Sequence, residues 1–143
     1  MKLHHILAAS LLAMSLAAAP ARAADDASHF LLTRTLVNKL VAMEAESKRM
    51  KAEKDDEDSA DPETVEDLVR VLEKDKRAKA MLAKHGISTR EFASATFAMM
   101  HAGFFVAFEP SMDKKKAAQT LAGYTKEQQA NIALVRSMNL AKN

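Results

Sequence analysis

The sequence predicts an all-α protein: a single-domain bundle of four to five helices around a central apolar helix at about 88–109. Three observations carry this prediction. Apolar residues recur at steps of three and four in several segments, which is helical spacing. No stretch shows the strict alternation of a half-buried strand. Between Phe92 and Phe108 the chain places apolar side chains on every side, and such a helix is expected to be buried at the centre of a bundle or to span a membrane.

The N-terminus carries the parts of an export signal and changes the bulk numbers. Lys2 precedes a continuous apolar run from Ile6 to Ala19, relieved only by Ser10 and Ser15. Pro20 breaks the run, and Ala21-Arg22-Ala23 has the small-x-small form of a signal-peptidase site. These are the parts of a cleavable secretory signal peptide at 1–23. The run is short for a spanning helix, which needs about 20 apolar residues. The remaining 24–143 is expected to form one helical domain, exported to the periplasm.

Removing Lys2 and Arg22 leaves 19 basic residues against 19 acidic ones, so the mature chain is formally neutral. Its bulk charge therefore offers nothing to nucleic acid. The chain has no cysteine, which excludes thiol redox chemistry, cysteine-ligated zinc and covalent c-type haem.

Along the mature chain, Ser28 is the expected N-cap of a first helix whose stripe is Leu32, Leu36, Val37, Leu40, Val41 and Met43. A polar acidic linker at 55–61 follows; it lacks the turn glycine and closing glutamate of a calcium loop and is read as solvated. Asp61-Pro62-Glu63 marks the next helix start, with Val65, Leu68, Val69 and Leu72 on one side. Asp75 is placed to cap a short helix, Lys76 to His85, that Gly86 closes. The lysines and arginine along it, from Lys74 to Lys84, read as solvated surface.

The central helix has the sharpest ends. Ser88-Thr89-Arg90-Glu91 is a capping-box pattern, flanked by Ile87 and Phe92 at the positions of a hydrophobic staple. Pro110 ends it. Gly103 and Ala107, one turn apart, are expected to let a neighbouring helix approach closely. Beyond it, 111–116 reads as a polar turn, Ala117 to Leu121 as a short helix ended by Gly123, and Thr125 to Gln128 as a second capping box opening a last helix that frays near Asn139.

Chemistry is hard to place on this chain. His29, His85 and His101 do not form a ligand pair on one helix, and no metal-hydrolase motif is present. Met99 and Met100 neighbour His101 in sequence but diverge from it around the helix. Ser94 and His101 lie seven residues apart, about 10.5 Å along the axis, too far for a direct hydrogen bond. No catalytic centre, metal set or cofactor is therefore assigned, and the chain is read as non-catalytic.

One constellation stands out. At helical spacing Arg90, Ser94, Phe97, His101, Phe105 and Phe108 fall within about 80° of one face. Either this face is packed, with His101 satisfied by one acceptor, or it lines a groove for an apolar ligand or peptide with His101 as its polar handle.

The run Gly86-Ile87-Ser88-Thr89-Arg90-Glu91-Phe92, the long apolar helix after it, and Asn131-Ile132-Ala133-Leu134-Val135-Arg136 resemble a group of small, uncharacterised secreted proteins of proteobacteria. The resemblance implies a periplasmic, all-helical protein and carries no activity. The expectation is a small soluble periplasmic module that binds an unknown protein or apolar small molecule, with no nucleic-acid role and no membrane contact beyond signal-peptide export. The alternatives are a periplasmic metal or haem carrier and a membrane-associated helical protein.

Overall fold

The structure is a computed structural model and describes residues 27–50 and 61–139. The expected signal peptide and all of the acidic linker except Asp61 lie outside the described residues. The described chain is all-α, a helical bundle without strands. Its helices are α1 (Arg34–Arg49), α2 (Val65–Lys74), α3 (Lys76–Lys84), α4 (Thr89–Phe108), α5 (Lys114–Ala122) and α6 (Lys126–Met138). The count is six rather than four or five because both short segments, α3 and α5, form complete helices.

The helix starts show which local signals won. Ser28 lies in a short 3-10 turn (Ala27–His29), and α1 is capped instead by Thr33, whose hydroxyl accepts from the Leu36 amide at 3.1 Å. The intervening residues are drawn off the helical path by α6. Asn131 Oδ1 accepts from the Leu32 amide at 2.8 Å, and Asn131 Nδ2 donates to the Phe30 carbonyl at 2.7 Å. A buried backbone satisfied this way has no need of a helix. Asp61 is likewise displaced as a cap: Thr64 accepts from the Asp67 amide at 3.1 Å and opens α2.

Other ends form as the residues foretell. Asp75 accepts from the Arg77 and Ala78 amides and starts α3. Gly86, at φ +63°, closes it, with Gly86 N–H donating to Ala83 and Ile87 N–H to Leu82, the paired bonds of a Schellman turn. Ser88 accepts from Glu91 N–H at 3.1 Å, the first half of a capping box. Thr125 and Gln128 complete both halves at the start of α6. Residues 114–116 belong to α5 and not to a turn, because Asp113 accepts from the Lys115 and Lys116 amides.

Helix α4 is the axis of the molecule and joins two cores. Around its N-terminal half, Ala95 and Ala98 meet Leu32, Leu36, Val37 and Met43 from the α1 segment, with Leu82 and Ile87. Around its C-terminal half, Ala102 and Phe105 meet Ile132 and Val135 of α6, with Leu121 and Tyr124 at the edge. The small residues that allow close approach are thus Ala95, Ala98 and Ala102. Gly103 is not one of them: a Cβ there would meet nothing within 4 Å.

The expectation that α4 is buried all round fails on one side. Phe104 is 57 % exposed and Phe108 61 %, their rings adjacent at 6.4 Å between centroids. Among the described residues, the five other helices do not cover every side of this 20-residue apolar helix.

Candidate functional site

The structure divides the predicted face into four environments. Arg90 is exposed at the rim and pairs with Glu66 of α2 at 2.9 Å. Ser94 is 3 % exposed and belongs to the packed interior. Phe105 is core, edge-on to Tyr124 at 5.6 Å, with the Arg136 guanidinium 5.8 Å from its ring centroid. Phe108 is open to solvent. Only Phe97 and His101 share a hollow, so the six residues do not form one site.

That hollow, about 330 Å³, lies between α4, the start of α6 and the 27–29 turn. Met100, Phe104, Gln128 and Asn131 line it with Phe97 and His101. His101 is half-buried: its ring stands edge-on to Tyr124 at 4.6 Å, and Nε2 is 3.5 Å from Gln128 Nε2. The imidazole thus has an aromatic neighbour and a polar one. Tyr124 was invisible to the one-helix wheel, because it enters from the α5–α6 connection.

A larger hollow lies on another side of α4. Leu40, Met43 and Ser47 of α1, Leu72 of α2, Met81 and Leu82 of α3, and Phe92, Thr96 and Met99 of α4 enclose about 560 Å³. Its lining is overwhelmingly apolar, and Glu44 and Lys48, paired at 2.6 Å, stand at its border. Three thioethers, Met43, Met81 and Met99, contribute flexible walls that adapt to the shape of what they contact. Of these residues, Leu40, Met43, Leu72, Met81 and Leu82 read in sequence as inward-facing core positions. What distinguishes them is the failure of four helices to close over one another, which no single periodicity reveals.

Helices α1 and α3, which form two walls, are tied at their C-terminal ends. Glu46 accepts a hydrogen bond from the Lys84 ammonium and lies 3.0 Å from His85 Nε2. These two partners, Lys84 first, hold the Glu46 carboxyl below its ordinary pKa. Glu73 at the end of α2 accepts from the Thr89 hydroxyl at 2.6 Å and pairs with Lys79 at 3.0 Å, which lowers its pKa in the same way. Lys79 and Lys84 are thereby engaged within the fold.

Among the described residues, no group of three or more histidines and carboxylates is placed to hold a metal ion. His29 faces Glu127, His85 faces Glu46 and His101 faces Gln128. Comparison with known proteins finds no matching family model, curated protein or solved structure. The functional reading rests on this geometry.

Proposed function

We propose that the chain is a secreted, periplasmic, non-catalytic module that binds an apolar ligand in the groove between α1, α2, α3 and α4. The observation that carries the proposal is the groove's size and lining: about 560 Å³, walled by Met43, Met81, Leu82, Phe92 and Met99. Small-molecule sites fall in this volume range and are mostly apolar, with a few polar groups at the edge. Here Glu44, Lys48 and Thr96 supply that edge. The signal-peptide pattern and the resemblance to small secreted proteins belong to the same proposal. The hollow beside His101 is the second reading, favoured by its polar lining of His101, Gln128 and Asn131.

Fluorescence titration with the apolar probe 1-N-phenylnaphthylamine separates the two. Met81→Lys places an ammonium at the groove wall and is expected to weaken probe binding about tenfold or more, the cost of an apolar contact exchanged for an unpaired charge. His101→Ala is expected to leave binding unchanged. The opposite pattern would move the ligand to the His101 hollow, and absence of probe binding to the folded protein would sink the proposal.

A further inference from the structure

A second surface, separate from the groove, combines two features that the fold does not use internally. The first is the open side of α4. Met100, Phe104, Ala107 and Phe108 are all exposed, and helical spacing sets them within an arc of about 100°. Gly103 extends the arc with open space above it. No charged side chain interrupts this face. The Thr89–Ser111 segment is apolar enough, at mean hydropathy 1.2, to enter a membrane, yet 33 % of its most apolar window is buried. The Ala95, Ala98 and Ala102 side is committed to the cores, so α4 meets any apolar medium with one face only.

The second feature is Lys114-Lys115-Lys116, all exposed, at the first turn of α5. Lys114 shares a shallow hollow with Glu109, the residue that follows Phe108, so the triplet stands at the same end of α4 as the two exposed rings. Nearby acids are already engaged: Glu109 pairs with Arg136, and Asp113 caps α5. None of the three ammonium groups enters an ion pair among the described residues, unlike Lys48, Lys79 and Lys84. Three like charges at a helix N-terminus oppose the helix dipole. Their placement costs stability and gains nothing from within the fold.

From this juxtaposition we infer that the α4–α5 end docks on an anionic phospholipid surface. Phe104 and Phe108 enter the boundary between headgroups and acyl chains, and Lys114 to Lys116 meet the phosphates. Apolar aromatics beside a basic cluster match the two layers of that boundary, and neither alone holds a protein there firmly. An uncharged apolar partner would account for the rings and leave the lysines unexplained. Charge complementarity therefore selects the anionic bilayer over a second copy of this chain, whose triplet would repel its own.

Sedimentation with vesicles tests the inference. The detergent-free protein is mixed with vesicles of phosphatidylcholine alone, or of phosphatidylcholine containing phosphatidylglycerol. Binding is expected only with the anionic vesicles and is expected to weaken as salt rises. Replacing all three lysines by glutamine is expected to weaken it about 100-fold, since each lysine near such a surface contributes about fivefold. Phe104→Ser with Phe108→Ser is expected to weaken it about tenfold or more, while Val71→Ser, at an exposed apolar site on α2, leaves it unchanged. Far-UV circular dichroism verifies that each variant is folded. Equal binding to neutral vesicles, no binding to either, or a dimer in analytical ultracentrifugation that the phenylalanine substitutions dissolve would each overturn the inference.

Discussion

Asn131 illustrates how much one side chain decides. At 1 % exposure, it replaces the backbone partners that Phe30 and Leu32 would find in a helix. Asn131→Ala is expected to destabilise the protein by about 2–4 kcal/mol in urea unfolding, because the buried Leu32 N–H and the partly buried Phe30 carbonyl lose their partner. The two glycines with the clearest surroundings predict opposite signs. Gly103 sits inside α4 with free space around it, so Gly103→Ala is expected to stabilise by about 0.5–1 kcal/mol. Gly86 holds a left-handed conformation, so Gly86→Ala is expected to destabilise by about 1–2 kcal/mol although its new methyl meets only Lys39 Nζ at 3.9 Å. A urea midpoint for each variant checks both signs.

Among elements, the ion-paired carboxylates at helix ends set the response to acid. Hydrogen bonds from Lys84 and then His85 lower the Glu46 pKa, and those from Thr89 and then Lys79 lower that of Glu73. A depressed carboxylate contributes stability above its unfolded-state pKa and loses it as pH falls through the folded-state value. Stability is therefore expected to decline as pH drops below about 5, and Glu46→Gln is expected to reduce the steepness of that decline. Urea unfolding at a series of pH values between neutral and acid reads the difference. Helix boundaries were legible where a cap is purely local, as at Asp75, Ser88 and Thr125 with its partner Gln128. They were misplaced at Ser28, where Asn131 holds the chain before α1 and Thr33 caps instead, and at Asp61, where Thr64 three residues on accepts from the Asp67 amide.

At the scale of the whole molecule, two cores along one helix leave a groove on one side and an apolar face on another. The groove predicts linkage between ligand and stability. An apolar ligand at about 100 times its dissociation constant adds about 2.7 kcal/mol to the folded state. For a domain of this size that raises the melting temperature by about 10 °C. Differential scanning calorimetry with and without 1-N-phenylnaphthylamine measures the shift, and Met81→Lys is expected to cut it by about half or more at the same probe concentration.

By itself the sequence determined the helical class, the central place of Ser88–Glu109 and most helix ends, because periodicity and capping act over three or four residues. It also marked His101 and Phe97, which share a hollow. Only the tertiary structure decided that Ser94 and Phe105 are interior, that Phe104 and Phe108 are open, and that Asn131 pins the chain before α1. It alone brought Met43, Met81 and Met99 to one groove. The reason is geometric: a helical wheel shows which residues share a side of one helix, but whether that side is covered depends on where the other helices run out.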